Sequence, residues 1–97
     1  MSSITIDEYV IDSLMPDLVG HDRQPSAFVI YLHLWRLTHG AGRAHVQVAL
    51  QDIAERTGLS KRSVQDGVGW LSKRRLISIA RASITAVPVY TVLRTWR

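Results

Sequence analysis

Residues 60–65, Ser-Lys-Arg-Ser-Val-Gln, gather most of the side chains in this chain that could recognise another molecule. Arg62 carries a planar fork of donors that fits the O6/N7 edge of guanine, and the amide of Gln65 can pair in the same two-point manner with adenine. Lys61 and Arg62 fall in the first turn of a predicted helix. Ser60 is a natural N-cap for that helix. The terminus it leaves exposed has free N–H groups and partial positive charge, which suit a phosphate. Ser63 and the more distant Lys73 are placed for phosphate contacts, which fix register and not sequence.

Catalytic chemistry finds little support. The four histidines, His21, His33, His39 and His45, lack the i, i+4 spacing of a zinc pair, and the chain has no cysteine to support them. No Ser/His/Asp arrangement, phosphate loop or dinucleotide signature is present. Asp7, Glu8 and Asp12 read as a solvated acidic face. The expectation is no enzyme, no metal and no cofactor. His33 and His39 read as surface or interface residues.

The elements that must position residues 60–73 follow from periodicity. "LQDIAERTG", from Leu50, is a short helix with Leu50, Ile53 and Ala54 inward. Gly58 supplies a turn that needs positive φ. In the next helix Val64, Val68 and Leu71 recur at i, i+4, i+7 and form its buried face. "LISIA" and "VPVYTVL" read as two strands of a hairpin with a turn near Ser83–Ala86, and Pro88 is confined to an edge or an end position. Upstream, Pro25 suits the first turn of a helix running toward Gly40. "HVQVA" alternates as a short strand would. The Pro25 helix carries two apolar stripes, Ala27/Ile30/Leu34/Leu37 and Phe28/Tyr31/Leu32/Trp35, so it needs two partners. One is the rest of the domain; the other is the N-terminal segment or a second subunit. That segment predicts a short helix over 6–14, broken by Pro16 and Gly20, with "GHDRQ" as a connecting turn.

The spacing Ala54, Gly58, Ser60, Val64 within "DIAERTGLSKRSVQDGVGWLSKRRLI" resembles the winged helix-turn-helix family of bacterial DNA-binding proteins. The likeness extends more weakly over residues 27–93 and is greatest to the winged versions in bacterial regulators and in plasmid or phage replication initiators. It implies a mainly α fold with a small β-hairpin wing, and a recognition helix at about 60–74 in the major groove of double-stranded DNA. Ser60, Lys61, Arg62, Ser63, Gln65, Lys73 and, beside the wing, Arg81 are the implied DNA contacts.

Several residues depart from the family pattern. Asp66 sits on the outward face, where it reads as an i, i+4 partner of Arg62 or an acceptor from cytosine. Gly67 and Gly69 interrupt the helix; Gly67 reads as a close-packing point, and Gly69 has no account beyond close backbone approach. Arg75 stands at the usual glycine stop. The wing tip "ASITA" has no Lys or Arg. Trp70 is expected to pack under the hairpin, the alternative being partial exposure toward DNA or protein.

Charge and length set the wider frame. Five acids against Arg23 give −4 over residues 1–25, whereas eleven Lys/Arg against three acids give +8 over 26–97. A basic body of this kind attracts polyanions, nucleic acid first. The chain divides into an acidic arm over 1–24 and a winged domain over 25–97. No apolar run approaches the roughly 18 residues of a membrane span, and the acidic start lacks the basic region of a signal peptide. The expected protein is cytoplasmic and nucleoid-associated. It pairs as a homodimer through the Pro25 helix and the arm, and acts as a transcriptional regulator. A protein-interaction winged helix and an accessory of a replication or partition system remain the alternatives.

Overall fold

The computed structural model describes residues 2–96. Its order is an N-terminal helical arm (8–21), α1 (Pro25–Leu37), a short 3-10 turn (His39–Ala41), β1 (His45–Gln47), α2 (Leu50–Thr57), α3 (Lys61–Lys73), β2 (Ile77–Ala80) and β3 (Val89–Val92). The three strands form one antiparallel sheet in the order β1-β3-β2. Tyr90 on the central strand pairs with Val46 on one side and Ile79 on the other and is fully buried. This is the mainly helical fold with a small β wing expected from the sequence. Pro88 stands just before β3, so the missing N–H falls outside the ladder, and its carbonyl accepts from Val48 N at 3.2 Å.

α1 is the axis of the core. Ala27, Ile30 and Leu34 are completely buried, as are Tyr31 and, nearly so, Trp35. It packs against α3, α2, β3 and the N-terminal arm. Both apolar stripes are thus covered within one chain, and the arm supplies the second partner. α1 ends at Leu37, earlier than the expected stop at Gly40: Thr38 Oγ1 turns back to Leu34 O at 2.8 Å, and the chain tightens into the 3-10 turn.

The arm differs from the expected short helix. It runs through Pro16 and Gly20 to His21 as a wide helix, with Met15 N donating to Val10 O and Asp22 N to Asp17 O, both i→i−5. A proline ring inside an α-helix collides with the carbonyl four residues back. Opening the turn by one residue moves that carbonyl away, so the helix continues past Pro16. Packing selects this solution, because Val10, Leu14 and Leu18 are all buried in the common core. Each such burial contributes about 1.5–3 kcal/mol, together comparable with the whole stability of a small domain, about 5–15 kcal/mol. The radius of gyration, 12.8 Å, is that of a compact chain of about 100 residues, so the arm lies folded on the body.

Candidate nucleic-acid interface

α2, the Gly58 turn and α3 place the candidate residues. Gly58 has φ +79°, a conformation that a Cβ would strain, and its N–H caps Ala54 O at 2.9 Å. Ile53 and Ala54 are buried, and α2 packs on α3. The chain then leaves the turn in extended form at Ser60, whose Oγ accepts from Ser63 N at 3.0 Å and donates to Ser63 Oγ at 2.9 Å. The hydroxyl of Ser60 is therefore committed to capping, while that of Ser63 keeps its own proton to donate outward.

α3 buries Val64, Gly67, Val68 and Leu71 and turns Lys61, Arg62, Gln65, Asp66, Gly69 and Lys73 to the outside. Arg62 Nε donates to both carboxylate oxygens of Asp66 at 3.3 and 3.4 Å. Both side chains are well exposed, so the pair contributes little to stability. Its effect is orientation: Nε is held, and among the described residues neither terminal nitrogen of Arg62 has a partner. Those terminal nitrogens are the ones a guanine edge engages in pairs. Asp66 thus adopts the i, i+4 pairing.

Ser60, Lys61, Arg62, Ser63 and Gln65 occupy the first two turns of one helix. Lys73 lies on the same outer side about 18 Å along from Lys61, from the helical rise, with its ammonium 5.9 Å from the Trp70 ring. Arg81 is on a different element, just past β2; it is exposed and reaches only Ile84 O at 3.5 Å. Ile84, at the wing tip, is 92% exposed.

The far end of α3 holds what the sequence did not reveal. Asp22 of the arm, with its side chain 3% exposed, accepts from Arg74 Nη1 at 2.6 and 2.7 Å and from Trp70 Nε1 at 2.8 Å. Asp17 takes Arg74 Nη2 at 2.8 Å. Burial pushes the Asp22 carboxyl up, but the hydrogen bonds from His21 and Trp70 and the charge of Arg74 outweigh it and hold the group below its ordinary 3.8. Trp70 accordingly packs toward the arm, a correction to its expected place under the hairpin. Asp7 does the same at the other end of the arm, meeting Arg94 at 3.6 Å and Trp96 Nε1 at 3.2 Å. Trp35 Nε1 donates to Thr5 O at 2.9 Å. All three tryptophans of the chain therefore donate their indole N–H to residues 5–22. The acidity of the arm hinted at a basic partner, but which arginines it meets was not readable from spacing.

Arg75 also resolves. It takes φ +58° itself, and Leu76 N bonds Leu71 O at 2.9 Å while Arg75 N bonds Ser72 O at 3.0 Å. This is a complete left-handed helix stop built on an arginine, where glycine would cost less. His39 and His33 are half-buried, not surface residues. His39 ties the end of α1 to Val92 O through Nε2 at 2.9 Å. His33 has Nε2 buried without a partner among the described residues, and burial, with Arg56 and Arg36 nearby, lowers its pKa.

A family model described as a helix-turn-helix domain matches residues 24–77, more than half of the chain. The chain belongs to the helix-turn-helix domain family, a class of DNA-binding domain. No curated protein and no solved structure matches it. The matched span holds α1, the 3-10 turn, β1, α2, α3 and the first residue of β2; the arm before residue 24 and the strand β3 lie outside it. No helix among the described residues is long and apolar enough to cross a membrane.

Proposed function

We propose that the chain binds double-stranded DNA sequence-specifically, with α3 in the major groove, and acts as a transcriptional regulator in the nucleoid-associated cytoplasm. The observation that carries this reading is the outer face of α3. A capped, basic helix presents Lys61, Arg62 and Gln65 from its first two turns, with Arg62 steadied by Asp66 and its terminal nitrogens unspent. Lys61, Arg62 and Gln65 take the base edges. Ser63, Lys73 and Arg81 take phosphates, and Ser60 presents the helix terminus.

A single recognition helix covers one half-site with limited affinity, so the reading includes a homodimer. α1 is already covered by its own chain. The surface that supports pairing is the outer side of the arm, where Ile11, Met15 and Val19 recur at i, i+4, i+8, each about two-fifths exposed.

The test is fluorescence anisotropy on a mixed-sequence duplex, titrated over salt, followed by selection of a preferred site. Wild type should bind at about 50 mM salt and weaken linearly on a log–log plot as counterions are released. Lys61→Ala with Arg62→Ala should abolish binding of the selected site and leave thermal unfolding unchanged, since both side chains are exposed. A double variant that binds as well as wild type sinks the site assignment. The wing tip favours one other reading. It carries the 92%-exposed Ile84 and no cation between Ala82 and Val87, which suits a protein partner better than a phosphate. Absence of binding at about 50 mM salt decides for that protein-interaction module.

A further inference from the structure

Two positions at the far half of α3 carry residues that the fold itself does not favour. Gly69 is the first. A Cβ built on it has nothing within 4 Å among the described residues. Its φ is not in the left-handed region, which only Gly42 and Gly58 occupy among the described glycines. No turn, close packing or backbone conformation requires glycine there, yet glycine is a poor residue for a helix interior. Its position is specific. At 100° per residue, Arg62, Gly69 and Lys73 fall within about 40° of one another around the axis, opposite the buried row of Val64, Gly67, Val68 and Leu71. Gly69 is therefore a bare spot on the outermost line of the helix, about 6 Å along the axis from Lys73 and about 10 Å from Arg62. Arg75 is the second position. It is exposed and holds a left-handed conformation where glycine would sit more easily. Here a cation is kept at a local cost, just as a side chain is omitted at Gly69.

We infer that the DNA interface extends along the whole of α3, with the duplex seated against the bare backbone at Gly69 between the cations of Arg62 and Lys73, and with Arg75 as a phosphate contact beyond the helix end. The inference rests on the DNA-binding reading above. It differs from an interface confined to the first two turns. In that arrangement the helix would enter the groove by its N-terminus, and position 69 would stand clear of the duplex and accept any side chain.

The test is a pair of measurements, thermal unfolding and anisotropy on the selected duplex, for Gly69→Ala, Gly69→Gln and Arg75→Gly. The fold gains from each change, so all three should melt higher, the Gly69 variants by roughly 4–8 °C. Binding should move the other way. Gly69→Gln should weaken it about tenfold or more and Gly69→Ala by less, in order of side-chain size. Arg75→Gly should weaken it with a log–log salt slope shallower by about 1, the loss of one phosphate contact. A Gly69→Gln protein that is more stable and binds as wild type overturns the inference while leaving the DNA reading intact. Gly69 variants that melt lower overturn it too, because the glycine then serves packing. A wild-type protein that fails to bind any duplex removes the DNA reading and this inference together.

Discussion

Gly67 and Gly69 sit two residues apart on α3 and meet opposite surroundings. A Cβ on Gly67 would run into Cδ1 of Ile30 and come within 3.6 Å of the Ala27 backbone, at the crossing of α3 over α1. Ile30 is completely buried, so its Cδ1 can clear the way only by rearranging within the packed core. Overpacking of this kind costs about 1–3 kcal/mol, more than the roughly 1 kcal/mol that alanine returns in helix propensity. Gly67→Ala should lower the melting temperature, and Ile30→Val in the same chain should recover part of the loss by shortening the obstructing side chain. A Gly67→Ala protein as stable as wild type would show that α1 and α3 can separate at that crossing. Helical periodicity placed both glycines within one element, and the absence of a β-carbon is visible in either. Only the neighbouring helix distinguishes the one that is needed for packing.

At the scale of elements, side chains tie the arm to the end of α3. Asp22 holds Arg74 and Trp70 at the end of the candidate recognition helix, and its own side chain is almost wholly withdrawn from solvent. Asp22→Asn removes the charge and leaves Arg74 with Asp17. The loss should be about 2–3 kcal/mol by chemical denaturation, at or just below the range for breaking a buried pair because Arg74 keeps a third of its side chain in water. The pH dependence has a definite sign. Asp22 has its folded pKa below 3.8, so its contribution is fully present above that value. It is lost as pH falls through the lower folded pKa. Because Trp70 donates to the same carboxylate, tryptophan emission should change along that acid limb. In Asp22→Asn that component should be missing. A wild-type emission profile identical to that of the variant would remove Asp22 as the clamp.

At the scale of the whole molecule, the acids of the arm and the cations of the body are used differently. The acids of the arm are partly consumed internally, Asp7 by Arg94 and Asp17 with Asp22 by Arg74. Lys61, Arg62, Lys73, Arg75 and Arg81 stay exposed. Arg23, Arg36, Arg43 and Arg56 are exposed elsewhere, so α3, its end and the start of the wing hold five of the nine exposed cations among the described residues; polyanion attraction has to act there for DNA to meet α3. Exposed apolar residues lie at the wing tip, on Ile84 and Val87, and along the arm, where Ile11, Met15 and Val19 recur on one side. If two chains pair there, light scattering should give twice the chain mass. Met15→Glu, a change at a residue 39% exposed, should return the mass to one chain without unfolding it. A wild-type mass of one chain ends the dimer proposal and leaves each molecule with a single half-site.

The local pieces of this protein are legible along the chain: the helix-turn-helix spacing, the Ser60 cap, the inward row of Val64, Val68 and Leu71, the hairpin and its turn. These depend on residue types within a few positions of one another, and such short-range constraints can be read along a chain. The outer face of α3 was legible for the same reason, since a 3.6-residue period divides inside from outside. Tertiary structure alone decided the rest. Pro16 read as a helix breaker, yet burial of Val10, Leu14 and Leu18 outweighs the lost hydrogen bond once the turn widens. The second stripe of α1 needed a partner that periodicity could not name, and the arm covers it. Trp70 and Asp22 are 48 positions apart, and no local rule joins a carboxylate in one turn to an indole and a guanidinium at the end of a distant helix. Such pairings follow from how faces dock, and docking is a property of the packed chain as a whole.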